Sequence, residues 1–383
     1  MSHAQKFQLT FEVVKQEDIM RLWIIGNGFD LYHGLKTRYL DYKAFLCRYN
    51  DICISKHCQK PMGECPFEVC KRCCISESIG NVCPVRKFKA LPRKKELSNE
   101  ELWCDLEEAC TIDFGKLLKE VKGWYKTGLP AVSGLLHGVL DFAPIFTAES
   151  FEKWLTHVQE TKRIDKHLLE ISKNDLFITF NYTSTLEESY NVKKDRILYI
   201  HGSLERLRKE IKASKDDEKG ERKRERLLFG SPCVTEKALD GALNEFAKAE
   251  SINAEDKKEL RKVCLALIKY LKKDVLFQLK KKLVGFVNDN RADLLGPVKE
   301  VVVAGHSLNR IDGPYLEYLA REFVCKRWCF LFRTDDDIKR ALEFCKKYML
   351  DGCCVPWEWM ERSHPEIVAG VQSPGFSICW PNK

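Results

Sequence analysis

The chain has 383 residues, of which 44% are hydrophobic and 31% are charged, with a formal net charge of +8. This length allows one large, elaborated domain or two smaller ones. No apolar run reaches the ~20 residues that a membrane-spanning helix needs, and the N-terminus lacks the apolar segment of a secretory signal. We therefore expect a cytoplasmic protein without membrane contact, whose 18 cysteines are reduced thiols or metal ligands.

A short apolar run near the N-terminus, Leu22–Ile25, stops at the turn Gly26-Asn27-Gly28. A continuous apolar run of this length predicts a buried parallel strand. Glycine has no Cβ and tolerates positive φ, so the turn would let backbone N–H groups approach a phosphate. A tight turn without a ligand gives the same pattern, and the third glycine of the dinucleotide fingerprint is missing. The turn alone leaves both interpretations open.

The segment that spans about residues 47–93 is rich in cysteine, proline and lysine, and we predict that it is an insertion. Within it, Cys70 and Cys73 have the spacing of one zinc knuckle. A second pair of this kind is missing, so Cys58 and Cys65 would have to complete a structural zinc site at irregular spacing. Free thiols, or disulfides formed on oxidation, are the alternatives.

Further apolar runs alternate with helical patterns along the chain. Strands are predicted at Leu22–Ile25, Leu176–Phe180, Ile197–Ile200, Val301–Ala304 and Trp328–Phe332, and Leu227–Gly230 is a sixth candidate. Helices are predicted at Leu97–Leu118, Phe151–Ile171, Ala238–Val287, Gly313–Phe323 and Asp335–Tyr348. This alternation predicts an α/β fold with a doubly wound, mostly parallel, Rossmann-like sheet.

Two other segments complete the predicted organisation. Residues 205–226 are almost wholly charged, which predicts a solvated insertion in a loop or an exposed helix. Residues 1–345 would then form one α/β domain with two insertions, followed by a C-terminal extension over residues 346–383.

Polar residues follow four of the predicted strands. They are Asp30 after the first strand, Asn181 after the second, His201 after the third, and His306 with Ser307 after the fourth. Because ligands of open α/β sheets bind beyond the carboxyl ends of the strands, we expect these residues to line one pocket. Each also has a structural interpretation: a helix cap or Asx-turn for Asn181, helix caps for Asp30 and Ser307, and a strand end for His201.

Four motifs resemble the bacterial abortive-infection H family, AbiH. They are Ile-Ile-Gly-Asn-Gly-Phe-Asp-Leu (24–31), Phe-Asn-Tyr-Thr (180–183), Ile-His-Gly (200–202) and Gly-His-Ser-Leu (305–308). Residues 103–108 are also similar to the Trp-x-Asp-Leu-Glu segment of that family, and the resemblance covers roughly residues 20–345. It implies a role in phage defence, with a phage-derived trigger or a partner defence protein.

The same motifs resemble, more distantly, sirtuin-like NAD-binding domains, which carry Gly-Ala-Gly-x-Ser, Thr-x-Asn-x-Asp, His-Gly and Gly-Thr-Ser in this order. The resemblance implies that Asn181 orients the ribose or a water and that His201 is a general base. It implies contacts with the dinucleotide at Gly26, Asn27, Gly28, Phe29, Thr179, Tyr182, Gly305, His306 and Ser307. The sequence departs from the pattern at Asp30, Thr183 and His306, where sirtuin-like proteins carry Ser, Asp and Thr.

The resemblance thus implies an effector that hydrolyses NAD or a related nucleotide at the N-glycosidic bond. Histidine can act as a base at neutral pH, an asparagine can hold the water, and Asp30 would stabilise developing positive charge or fix a ribose hydroxyl. One alternative is a nucleotide-sensing or scaffolding module without turnover, and the chain could also form a homo-oligomer. A toxin acting on nucleic acid is the other, which the charge of +8 permits although no nuclease-type carboxylate cluster supports it.

Overall fold

The computed structural model describes residues 20–49, 110–125, 148–161, 169–205, 208, 234–271, 279–357, 367–373 and 376–381. The four cysteines of the predicted zinc site, Cys58, Cys65, Cys70 and Cys73, lie outside these residues. So do the candidate strand Leu227–Gly230 and nearly all of the charged segment 205–226.

Eight strands form one sheet. They are β1 (Met20–Ile25), β2 (Leu176–Thr179), β3 (Ile197–Tyr199), β4 (Val298–Ala304), β5 (Arg327–Phe332), β6 (Gly352–Pro356), β7 (Ile367–Ser373) and β8 (Phe376–Pro381). Their order is β3-β2-β1-β4-β5-β6-β8-β7, and all neighbours are parallel except β7 and β8. The first six strands therefore have the 3-2-1-4-5-6 order of the Rossmann fold, which confirms the predicted α/β class and its mostly parallel sheet.

The central strands are continuous apolar runs because both of their faces are covered. Every residue of β1 and β2 is buried, and Leu22 pairs with Leu176 on one side and with Val301 of β4 on the other. Parallel strands covered by helices on both sides have no solvent-facing positions for polar residues. This is the physical reason why these strands could be located from hydrophobic pattern alone.

The described helices precede, separate and flank the strands. They are α1 (Asn27–Tyr32), α2 (Tyr39–Tyr49), α3 (Phe114–Tyr125), α4 (Ala148–Glu160), α5 (Thr185–Tyr190), α6 (Glu236–Glu250), α7 (Ala254–Leu271), α8 (Val284–Asp289), α9 (Arg291–Leu295), α10 (Gly313–Glu322) and α11 (Asp335–Tyr348). A 3₁₀ turn covers Lys194–Arg196 and a π turn covers Leu279–Leu283. Among the described helices, none has the length and apolar character that a bilayer crossing requires.

Helices cover both faces of the sheet. One face packs against α10 and α11, through Tyr315, Leu319 and Phe344. The opposite face packs against α1 and α5, through Phe29 and Leu186. The sheet is therefore doubly wound, and its two central strands, β1 and β4, carry connections that leave on opposite faces.

Two predicted helices are confirmed, and three differ from the structure. Helices α10 and α11 lie at the predicted positions. The predicted helix Leu97–Leu118 is wrong at residues 110–113, which are not helical, and α3 begins at Phe114. The predicted helix Phe151–Ile171 is too long, because α4 ends at Glu160 and residues 169–171 are not helical.

The third difference is a break in the long helix predicted at Ala238–Val287. Helix α6 ends where Ser251 adopts a left-handed conformation with φ 54°. Asn253 then begins α7, since its Oδ1 accepts a hydrogen bond of 2.8 Å from the N–H of Asp256. This arrangement is an N-cap, which satisfies a backbone donor that a new helix would otherwise leave unpaired.

The sheet also continues beyond residue 345. Residues 346–383, predicted as a C-terminal extension, contain β6, β7 and β8. Strand β6 pairs with β5 in parallel, with Cys353 opposite Cys329, and all five of its residues are buried.

Candidate functional site

Three glycines bring the ends of β1 and β4 into close contact. A Cβ atom on Gly26 would lie 2.5 Å from the Cα of His306, and one on Gly28 would lie 2.6 Å from the Cα of Gly305. The N–H of Gly28 donates to the carbonyl of Gly305 at 2.8 Å, and Gly305 has a φ of +69°. The glycines of the first turn are therefore explained by the packing of two loops, and their predicted contact with a phosphate stays a prediction.

A cavity of about 360 Å³ lies at the carboxyl ends of β4 and β5. Its lining includes Gly28, Gly305, His306 and Ser307 of the predicted site, together with Arg333 and Arg340. The guanidinium of Arg333 lies 5.1 Å from the ring centre of Tyr32 and 5.6 Å from that of Trp357, within the range of cation–π contact. Arg340 pairs with the Asp337 carboxylate, which also lines the cavity, so the described residues of the lining carry two guanidinium groups and one carboxylate.

The first turn of α11 forms one wall of this cavity. Thr334 and Asp337 make a capping box, in which the Asp337 carboxylate accepts from the N–H groups of Arg333 and Thr334 at 3.0 Å each. Burial raises the pKa of Asp337, but these hydrogen bonds and the charge of Arg340 more than offset it, so the pKa lies below its ordinary value. The ionised Asp337 side chain therefore stabilises the first turn of α11, which forms this wall.

A smaller recess of about 70 Å³ lies on the β1–β2 side. Asn27, Asp30, Asn181 and Tyr182 of the predicted site line it, together with Thr37. The Nδ2 of Asn181 donates to the carbonyl of Gly26 at 3.0 Å, and the Nδ2 of Asn27 donates to the carbonyl of Thr37 at 2.9 Å. The two amide side chains therefore hold the loops around the recess.

The Asp30 carboxylate is almost fully buried beside this recess and binds two hydroxyls. It accepts from Thr183 Oγ1 at 2.7 Å and from Thr185 Oγ1 at 2.8 Å. Thr183 stands where sirtuin-like proteins carry Asp, so the departures at positions 30 and 183 are in direct contact with each other.

A third group of polar residues lies where β3 and β4 end. His201 and His306 follow β3 and β4, and their Nε2 atoms lie 3.7 and 3.5 Å from the two carboxylate oxygens of Asp312. The ring of Phe180 contacts both imidazoles. His201 is 5% exposed and belongs to this buried cluster rather than to the lining of either cavity described above.

The structure therefore brings the predicted residues together at one edge of the sheet but divides them among two cavities and a buried cluster. Thr179 stabilises one side of the recess, since its Oγ1 accepts a hydrogen bond of 3.1 Å from the N–H of Asn181. The Phe29 side chain packs in the core, with its ring centre 4.4 Å from that of His33. No group of three or more His, Cys, Asp or Glu side chains in the described part of the chain could hold a metal ion.

Sequence reasoning missed three polar residues of this region: His33, Thr185 and Arg333. His33 is buried, with its Nδ1 2.7 Å from the carbonyl of Phe29 and its Nε2 2.6 Å from the hydroxyl of Tyr190. A carbonyl only accepts, so His33 Nδ1 carries a proton. Thr185 was detectable as the second threonine of the Thr-Ser-Thr run after Asn181, whereas nothing in the sequence marks Arg333.

Fold and site together define an α/β protein of Rossmann strand order with a polar carboxyl edge at the β1–β4 switch point, where such sheets bind their ligands. A model of the family described as bacteriophage abortive infection AbiH matches residues 22–332, and the chain belongs to this family. No curated protein and no solved structure matches the chain. The distant similarity to sirtuin-like domains, with its NAD ligand, stays a prediction, as do the zinc site, the phage-derived trigger and the homo-oligomer.

Proposed function

We propose that this AbiH-family chain acts in abortive infection by binding a nucleotide at the carboxyl edge of its sheet and hydrolysing the N-glycosidic bond, with NAD or a related dinucleotide as the substrate. The observation that carries the proposal is the position of the polar groups. They lie at the ends of β1, β2, β3 and β4, on both sides of the switch point between β1 and β4. Rossmann-type sheets bind dinucleotides across this point.

The two cavities suit different parts of such a ligand. Arg333 and Arg340 line the larger one, and guanidinium groups are suited to pairing with phosphate oxygens. The recess is lined by Asn181 and lies beside the Asp30 carboxylate, which would favour a base that carries a positive charge before cleavage or donates hydrogen bonds. The contact between Gly26, Gly28 and Gly305 holds together the β1 and β4 loops, whose residues line these cavities.

The reaction needs a water, a group that orients it and a group that takes its proton. The C1′–N bond breaks and its electron pair leaves with the base, the water oxygen bonds to C1′, and a water proton goes to a general base. Asn181 would orient the water or the ribose, and His201 would accept the proton. Asp30 would stabilise the positive charge that develops on the ribose.

The test is release of nicotinamide by the purified full chain incubated with NAD. Wild type should release nicotinamide and ADP-ribose in equal amounts, and Asn181→Ala and His201→Ala should each lose on the order of 10²-fold or more in rate. Asn244→Ala, on α6, is the matched control and should keep wild-type activity. Absence of both nicotinamide release and NAD-induced thermal stabilisation in wild type would show that the proposal is wrong.

A second function is favoured by the observation that the predicted catalytic groups are buried or hydrogen-bonded to other groups of the protein. Asp30 holds two threonine hydroxyls, Asn181 donates to a carbonyl, and His201 is buried. Groups engaged in this way suit a nucleotide-sensing module that binds without turnover. Calorimetry that detects NAD binding, with no product after prolonged incubation, would support this function over hydrolysis.

A further inference from the structure

Three buried titratable side chains meet where β3 and β4 end and α10 begins. His201 Nε2 lies 3.7 Å from Asp312 Oδ1, and His306 Nε2 lies 3.5 Å from Asp312 Oδ2. The three side chains are 5%, 3% and 9% exposed, in the order His201, His306 and Asp312. One carboxylate thus faces the same nitrogen of two imidazole rings.

Asp312 does not act as a helix cap, although it occupies the N-cap position of α10. An aspartate at this position normally accepts a hydrogen bond from an N–H of the first turn. The Asp312 side chain makes no such bond, and its two oxygens face the histidines instead. Capping therefore does not explain the residue, and its contacts with the two rings do.

These contacts determine where each neutral ring carries its proton. The N–H of Leu308 donates to His306 Nδ1 at 3.0 Å, so the proton of His306 is on Nε2, which faces Asp312. His201 Nε2 lies beyond hydrogen-bond distance of Asp312 Oδ1, at 3.7 Å, but the negative charge of the carboxylate favours the tautomer whose N–H is directed toward it. His306 has two groups that select its tautomer, and for His201 the group identified by geometry is Asp312.

We infer that Asp312 is a positioning residue, which keeps the proton of His201 on Nε2 and thereby makes Nδ1 the basic nitrogen of that ring. The effect of Asp312 on catalysis rests on the proposed function, in which His201 accepts a proton. The effect of Asp312 on the tautomer of His201 is independent of the proposed function.

Asp312→Asn tests the inference, because an amide offers one acceptor and one donor in place of two acceptors. Leu308 still holds the His306 proton on Nε2, so His306 pairs with the amide oxygen. The amide nitrogen then faces His201 Nε2 and donates to it, which moves the His201 proton to Nδ1. The Asp312 side chain makes no capping hydrogen bond, so the substitution removes none from the start of α10.

The measurement is the set of imidazole ¹⁵N shifts of the labelled full chain above pH ~8, where histidine is ordinarily neutral. Both rings should be protonated at Nε2 in wild type. In Asp312→Asn, His201 should be protonated at Nδ1 and His306 should be unchanged, which makes His306 the internal control. The melting temperature, compared with that of the exposed variant Asp336→Asn, verifies that the protein is folded.

A wild-type His201 protonated at Nδ1, or a folded Asp312→Asn protein whose His201 keeps its proton on Nε2, would overturn the inference. The wild-type spectrum decides even if the variant does not fold. If wild type cleaves NAD, Asp312→Asn should lose on the order of 10²-fold in rate, and full turnover with an altered tautomer would contradict the positioning role. If wild type has the expected tautomers but releases no nicotinamide, the proposed function fails and the role of Asp312 in the tautomer stands.

Discussion

A buried aspartate lies at each end of the parallel strands, and different hydrogen-bond donors surround the two aspartates. We call these two ends the amino edge and the carboxyl edge of the sheet. At the amino edge, Asp175 accepts from the N–H of Arg21 at 2.9 Å, the indole of Trp23 at 2.8 Å and the N–H of Ser172 at 3.0 Å. At the carboxyl edge, Asp312 faces two imidazoles. A peptide or indole N–H has one fixed position for its proton, whereas a neutral imidazole can carry its proton on either ring nitrogen. Burial of a carboxylate therefore does not identify a functional group, and the chemistry of its donors does.

The sharpest test of this comparison is Asp175→Ala, which should have the largest effect on stability. It leaves two buried N–H donors and one partly buried N–H donor without an acceptor, at about 1–3 kcal/mol each, so we expect the free energy of unfolding to fall by ~3 kcal/mol or more. Urea unfolding at neutral pH measures the loss. Asp336→Ala, at an exposed site of α11, should change the free energy by less than about 0.5 kcal/mol.

For Asp312→Asn we expect little change in the free energy of unfolding but a change in the ring nitrogen of His201 that carries the proton. A loss of less than about 1 kcal/mol in Asp175→Ala would contradict the structural role assigned to the amino edge. A loss in Asp312→Asn as large as that in Asp175→Ala would remove the distinction between the two edges.

The carboxyl edge also contains a contact with a purely structural role, the glycine contact between the β1 and β4 loops. We expect Gly305→Ala to disrupt this contact and to lower the free energy of unfolding. A Cβ on Gly305 would lie 2.2 Å from the backbone nitrogen of Phe29, and φ is +69°. We expect a loss of roughly 2–4 kcal/mol from overlap and backbone strain together. The measurement is again urea unfolding.

The matched control is Gly241→Ala in α6, where a Cβ would meet nothing within 4 Å. Because alanine favours the helix, this variant should gain about 0.5–1 kcal/mol. Equal stabilities for the two variants would show that the glycine contact is not the reason for Gly305.

The strands of the sheet could be predicted because burial on both faces makes them continuous apolar runs, as in Leu22–Ile25 and Val301–Ala304. Strand β6 was missed, because its five residues, Gly-Cys-Cys-Val-Pro, become a strand through parallel pairing with β5. The break between α6 and α7 was also missed, although Asn253 is an ordinary cap signal.

The candidate site was predictable as a set of residues but not as an arrangement. The carboxyl ends of neighbouring parallel strands must share an edge, so Asp30, Asn181, His201 and His306 were expected there. The sequence does not show which segment of backbone packs against a glycine. The contact of Gly305 with Gly26 and Gly28, and the division of the site into two cavities, were therefore not predicted. The contacts of Asp312 with two histidines could not be predicted, because the direction of its side chain depends on the packing of β3, β4 and α10.

The smallest effect concerns the sign of the pH dependence at the two edges, which differs between Asp175 and Asp337. Burial raises the pKa of Asp175 despite its hydrogen bonds, so the part of its contribution that is linked to protonation is complete at low pH and is lost as the pH rises through the raised pKa. The loss expected for Asp175→Ala at neutral pH comes from the N–H donors that it leaves without an acceptor. The pKa of Asp337 is lowered, so its contribution is present above the ordinary aspartate value and is lost as the pH falls through the lowered pKa.

Asp337→Asn should therefore cost about 0.3–1 kcal/mol at neutral pH, as expected for loss of a negative charge at a helix N-terminus. The difference from wild type, followed by urea unfolding in steps of decreasing pH, should shrink as Asp337 becomes protonated. Asp336→Asn is the control, because it removes a charge from the same turn of α11 but not the backbone hydrogen bonds of the capping box. A difference that grows toward acid pH would mean that the Asp337 carboxylate destabilises the cap, and the wall of the larger cavity would then have to be held by Thr334 without it.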